Sequence, residues 1–116
     1  MTLHTEGSIT FEATGAFFNP RMQLNRDIGV AMTKALGISE YLDALSASGI
    51  RGMRVAAEAG TEKVTLNDFD PRAVQVMRRN VARNQLDCIV SEKNANVLMH
   101  QEHFQAVDLD PFGSPS

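Results

Sequence analysis

Four strand-like runs, separated by three helix-like ones, succeed one another from Tyr41 to the end of the chain. Tyr41 to Leu45 reads as strand, "SASGIRG" as a turn of small residues, and "MRVAAEAG" as helix. "KVTLND" repeats the strand signal and "DPRAVQVMRRNVARNQL" the helix signal, with Asp70 suited to cap, Pro71 to open the first turn, and Val74, Met77 and Val81 forming its buried stripe. "DCIVSE", a short helix around "NANVLMHQEH", and "FQAVDLD" complete the series. Beta-alpha-beta units repeated in this way predict an α/β fold: a parallel sheet, right-handed crossovers, and helices on both faces. Ligands of such sheets lie at the carboxyl ends of the strands.

Ahead of this core, residues 1–37 read as a loop-rich lead-in followed by one helix, and residues 38–116 as the sheet domain. In "LNRDIGVAMTKALG" Leu24, Ile28, Ala31, Met32 and Ala35 fall on one helical face, with Gly37 where a carboxyl cap is expected. A chain of 116 residues forms one domain or part of one. With 43% hydrophobic and 22% charged residues, and no apolar run near the ~20 residues that span a bilayer, the expected class is soluble globular, with no membrane partner. The first residues lack a secretory pattern, and Cys88 is the single cysteine, so the expected compartment is the reducing cytoplasm, with no metal cluster. His4, His100 and His103 show no ligand spacing and read as surface residues. A formal net charge of -3 is the wrong sign for holding nucleic acid by bulk attraction, so such a partner requires a local basic patch or another domain.

Chemistry is expected where strands end. Gly49 and Gly52 sit in a strand-to-helix turn, where glycine permits close backbone approach and exposes main-chain N–H groups; turn residues of no further role have the same pattern. Asp68 closes the second strand, 19 residues beyond Gly49, near the spacing at which such sheets present an acid to a ribose. Together these favour a nucleoside cofactor. The dinucleotide fingerprint Gly-x-Gly-x-x-Gly is broken, because Ala47 stands at its first position in "ASGIRG", which speaks against NAD. Phe69 is either a wall for the adenine or a core residue.

A turn of small residues, an acid about 19 residues on, and a polar turn after the third strand resemble the seven-stranded, Rossmann-like S-adenosylmethionine methyltransferases. "DPFG" resembles the Asp/Asn-Pro-Pro-aromatic motif of those acting on exocyclic amino nitrogens. Three stretches together, "FFNPRMQLNRDI" (17–28), "LDALSASGIRGMR" (42–54) and "DLDPFGSP" (108–115), resemble the tRNA (guanine-26-N2)-dimethyltransferase family. The resemblance implies transfer of one or two methyl groups from S-adenosylmethionine to the N2 amine of a guanine in tRNA. It implies that Arg26 and Arg51 hold the methionine carboxylate, that Ser46 and Gly49 line the turn, that Asp68 takes the ribose, and that Phe69, Asn94 and Ala95 border the adenine. Asn94 stands where the family pattern has an acid, which forfeits charge-assisted hydrogen bonding. Asp110 is expected to face the target amine, Pro111 and Phe112 to bound the base, and Phe17 or Phe18 to form its second wall. A sheet of that kind has seven strands and this sequence shows four, so the expected domain is truncated after its fourth strand. Two alternatives stand beside this reading: an amino methyltransferase for another RNA, DNA or a protein amide, and an inactive cofactor-binding fragment.

Overall fold

The structure is a computed structural model that describes residues 2–13 and 18–108. It opens on an antiparallel hairpin, β1 (Leu3–Glu6) and β2 (Ile9–Glu12), in which Glu6 pairs with Ile9 across the two-residue turn Gly7-Ser8. The lead-in expected as loop therefore contains a hairpin. Its short alternating runs, "LHTE" and "ITFE" about a Gly-Ser pair, carry that signal once the turn is recognised. A 3-10 turn (Pro20–Met22), capped by the Asn19 side chain, leads into α1 (Gln23–Ala35).

The core then runs β3 (Glu40–Asp43), α2 (Ile50–Glu58), β4 (Lys63–Asn67), α3 (Pro71–Arg83), β5 (Ile89–Ser91), α4 (Ala95–Gln101) and β6 (Ala106–Asp108). The four core strands form one sheet in the order β5-β4-β3-β6, every pairing parallel. The alternation read from the sequence thus yields the expected α/β architecture. α3 begins as predicted: Asp70 accepts from the Arg72 N–H at 2.9 Å and Pro71 occupies the first turn. α2 starts earlier than expected, directly after Gly49 in a left-handed conformation.

Side-chain alternation along β3 divides the core. Tyr41 joins Met53 and Val55 of α2, Val64 and Leu66 of β4, Val74 and Met77 of α3, Val30 of α1, and Ile9 and Phe11 of the hairpin. Leu42 faces the other way and packs with Ala44 and with Leu98 of α4. Ile9, Phe11 and Val30 from the lead-in therefore share one hydrophobic cluster with the sheet. Met53, Leu66 and Met77 are fully buried, each worth about 1.5–3 kcal/mol relative to exposure.

α1 departs from expectation. Its apolar stripe faces solvent, with Leu24 67% and Met32 57% exposed and Ile28 and Leu36 also exposed, while the buried positions are Arg26, Val30 and Thr33. An ion pair governs this orientation. Arg26 Nε and Nη2 donate to the two oxygens of Glu6 at 2.8 and 2.7 Å, and both side chains are buried. A buried carboxylate on β1 fixes which face of the helix turns inward.

Candidate functional site

β3, β4 and β5 end side by side in Asp43, Asn67 and Ser91. The loop after β3 folds back on itself: Ser46 Oγ donates to the Asp43 carbonyl at 2.9 Å, and the Gly49 N–H to the Ser46 carbonyl at 2.8 Å. Two residues of this loop, Ala47 (φ 53°) and Gly49 (φ 86°), take left-handed conformations. Ala47 is the position where the dinucleotide fingerprint places glycine, and the backbone adopts the glycine-like bend even so, at a cost on the order of 1 kcal/mol. Gly52 serves a different need. A β-carbon there would run into Leu66, so its absence lets α2 lie against β4.

Asp68, just past β4, braces the loop. Its Oδ2 accepts from the Ala47 N–H at 3.0 Å and its Oδ1 from the Asp70 N–H at 2.9 Å. Phe69 beside it is 69% exposed, which excludes the core alternative for that ring. Asn94 and Ala95 follow β5 at the same end of the sheet; Asn94 caps α4, accepting from the Asn96 N–H at 2.9 Å. The Asn94 side chain thus supplies a helix-capping oxygen.

Alongside lies a charged cluster that only partly follows from the sequence. Arg51, from the first turn of α2, donates from Nε to Asp108 Oδ2 at 2.8 Å. The Tyr41 hydroxyl donates to the same oxygen at 3.2 Å. Asp43 stands opposite Asp108 in the β3–β6 register and accepts from the Gly52 N–H at 3.2 Å. Burial, then the charge on Asp108, pushes the Asp43 carboxyl up to about 7, against the opposing pull of Ser46, Arg51 and Gly52. Burial likewise raises the Tyr41 hydroxyl, with the neighbouring carboxylates adding to it.

The structure thus brings Ser46, Gly49, Arg51, Asp68, Phe69, Asn94 and Ala95 to the carboxyl end of the sheet. Arg26 lies against the hairpin: its guanidinium donates to Glu6 and to the Asn19 carbonyl at 3.1 Å, with the Phe18 ring 5.0 Å away. Phe18 is half-buried, edge-on to Phe11 at 4.9 Å and 5.0 Å from His4, so His4 belongs to a ring cluster and not to open surface. Phe17, Asp110, Pro111 and Phe112 lie outside the described residues. Asp43, Asn67, Tyr41 and Asp108 were missed as site residues. Asp43 and Asn67 have a legible signal, each being the polar residue that closes a strand immediately before a predicted site turn.

The family model for N2,N2-dimethylguanosine tRNA methyltransferases matches residues 2–116. A tRNA (guanine(26)-N(2))-dimethyltransferase from Methanoregula boonei is 46% identical, over 97% of this chain and 33% of that protein. The structure of Trm1 from Pyrococcus horikoshii with S-adenosyl-L-methionine superposes with a TM-score of 0.92 at 39% identity, over 99% of this chain and 37% of that one. A methyltransferase structure from Agrobacterium tumefaciens, at 12% identity and a TM-score of 0.76, shares the fold. This chain spans about a third of the length of the curated relatives it matches.

Proposed function

Because the chain belongs to the N2,N2-dimethylguanosine tRNA methyltransferase family, we propose that it provides the cofactor-binding core for methyl transfer from S-adenosylmethionine to the N2 amine of guanine-26 in tRNA. The observation that carries this reading is the junction at Asp68. A carboxylate that braces the turn after β3 lies next to an exposed ring at the end of β4, where a nucleoside would rest.

In this reading Asp68 accepts from the ribose hydroxyls, Phe69 covers one face of the adenine, and Asn94 and Ala95 border its edge. The turn through Ser46 and Gly49 offers main-chain groups, and Arg51 meets the methionine carboxylate. Asp43 and Asp108 face each other at this end of the sheet, and Arg51 donates to Asp108. Arg26, which also pairs with Glu6, is the second candidate for the methionine carboxylate. S-adenosylmethionine, when bound, supplies an electrophilic methyl group.

The guanine amine is conjugated and weakly nucleophilic, so positioning carries most of the rate; well-aligned reactants can gain roughly 7–11 kcal/mol. Asp110 accepts a hydrogen bond from the amine and stabilises the positive charge that develops on nitrogen. Pro111 and Phe112 bound a base drawn out of its helix, Phe112 by stacking, a contact worth about 1–3 kcal/mol. Phe17 or Phe18 supplies the second wall. Phe18 borders a hollow of about 350 Å³ with Thr2, His4, Ala13 and Pro20.

Calorimetric titration with S-adenosylmethionine tests the cofactor half. Wild-type chain should bind and Asp68→Ala should bind at least about tenfold more weakly, the effect of losing charge-assisted contacts; equal affinity would remove Asp68 from the site. Tritium transfer into tRNA carrying guanine at position 26, absent with adenine there and abolished by Asp110→Ala, tests the acceptor half. Cofactor binding without transfer is the outcome expected if the grip on tRNA lies in the part of the relatives that this chain does not span.

A further inference from the structure

Asn67, the last residue of β4, is fully buried and makes four side-chain hydrogen bonds. Its Nδ2 donates to the Ala44 carbonyl at 3.0 Å and to the Lys93 carbonyl at 2.9 Å. Its Oδ1 accepts from Ser91 Oγ at 2.7 Å and from the Lys93 N–H at 3.0 Å. Two donors and two acceptor sites are what an amide possesses, and all four are used. The orientation of the amide is fixed by the same pattern, since a flip would set Oδ1 against two carbonyls and Nδ2 against a backbone N–H.

The partners lie in two different loops. Ala44 opens the turn after β3, which carries Ser46, Ala47 and Gly49. Ser91 closes β5 and Lys93 belongs to the turn after it, which delivers Asn94 and Ala95. The Asn67 main chain adds to the tie, its carbonyl accepting from the Ser46 N–H at 2.8 Å. One central residue thus sets the separation between the two loops that flank Asp68 and Phe69.

We propose that Asn67 is the positioning residue of the cofactor cradle, holding the loops after β3 and β5 at the spacing a nucleoside requires. This rests on the functional reading above. Other side chains lack the necessary chemistry. Aspartate has the reach but would set a carboxylate against two carbonyls; leucine has the volume but would orphan Ala44 O, Lys93 O and the Lys93 N–H; serine is too short to bridge both loops.

A built-in control exists. Asn84, at the end of α3, uses the same amide chemistry elsewhere: Nδ2 donates to the Thr10 and Asn80 carbonyls, both at 2.8 Å, and Oδ1 accepts from the Thr10 N–H at 3.0 Å. It ties the hairpin to α3 and touches neither loop. Both asparagines should matter to folding, and one of them to the cofactor.

The test compares Asn67→Ala, Asn67→Ser, Ser91→Ala and Asn84→Ala in the full 116-residue chain. S-adenosylmethionine affinity is measured calorimetrically below each variant's unfolding temperature, alongside amide spectra. Asn67→Ala should weaken the cofactor about tenfold or more and displace the amide resonances of Ser46, Ala47, Asn94 and Ala95 together, leaving those of the hairpin unmoved. Ser91→Ala, which deletes one of the four bonds, should weaken it about two- to threefold, and Asn84→Ala less than about twofold despite a lowered unfolding temperature. If Asn67→Ala does not fold, Asn67→Ser and Ser91→Ala decide the matter on the same readouts. Folded Asn67 and Ser91 variants with wild-type affinity would overturn the positioning role alone. A wild-type chain that binds no cofactor would overturn the functional reading and the role of Asn67 with it.

Discussion

The hairpin edge and the carboxyl end of the sheet both bury carboxylates, and they treat them in opposite ways. On the hairpin, Glu6 meets Arg26 and Arg54, and Glu12 meets Arg79 and Arg83. Arg54 reaches further, to Asp27 and Glu58, so that β1, α1 and α2 are joined by one network. At the sheet end, Asp43 and Asp108 share Arg51 among the described groups. The consequence is visible in proton affinity. Hydrogen bonds from Arg79 hold Glu12 below the ordinary carboxylate range, whereas burial and a like charge lift Asp43 to about 7. Where cations match acids the charges serve as fastening; where two carboxylates face each other, burial and then the like charge raise the proton affinity of Asp43 instead.

Glu6→Ala should break this comparison most forcefully. It strips a buried partner from both Arg26 and Arg54, and an unpaired buried charge costs about 3–5 kcal/mol. Urea denaturation should register a loss of that order; a loss under about 1 kcal/mol would assign the hairpin's grip to Ile9 and Phe11 instead. Asp43→Asn should move stability in the other direction. It keeps an acceptor for the Gly52 N–H but removes one of two facing carboxylates, so at pH 8 the variant should gain on the order of a few kcal/mol over wild type.

The pH profile sharpens the contrast. The Asp43 carboxyl rises from its ordinary value of 3.8 to about 7 in the fold, with Asp108, Arg51 and Tyr41 as its charged or titratable neighbours. Between those values the native chain keeps a proton that the unfolded chain has released. Stability owed to this group is therefore greatest below about pH 4, declines as pH rises, and levels off above about 7. Glu12 and Glu58, both held low by arginine, act with the opposite sign: their contribution is present at neutral pH and disappears in acid. Thermal melts from pH 5 to 8 should show a downward slope in wild type that Asp43→Asn abolishes. The smallest effect is expected at Ala47, where Ala47→Gly relieves a left-handed bend and should add about 0.5–1 kcal/mol, a rise of a few degrees in melting temperature.

How much of this was legible follows from distance along the chain. The Asp70-Pro71 helix start, the strand and helix order, and the pairing of the glycine turn with Asp68 are local or regularly spaced, and the structure bears out the elements. The hairpin was not recognised, because two four-residue strands about Gly7-Ser8 resemble loop. The inward face of α1 was misjudged for a deeper reason. Leu24, Ile28 and Met32 form a regular apolar stripe, but the orientation is decided by Glu6, 20 residues upstream of its partner Arg26. Asp43 and Asn67 are legible as polar residues that close strands before the site turns, but what they join, the loops and strands on either side, is not, because no periodicity encodes it.

The brace between Asp68 and the Ala47 N–H has a kinetic consequence. The bend after β3 is held from within the chain, the Asp68 carboxylate accepting from the Ala47 N–H where the backbone turns left-handed. Under the proposed function, a corner braced in this way has less freedom to lose when a nucleoside settles against it, so the residence time there should follow from how many contacts the nucleoside makes.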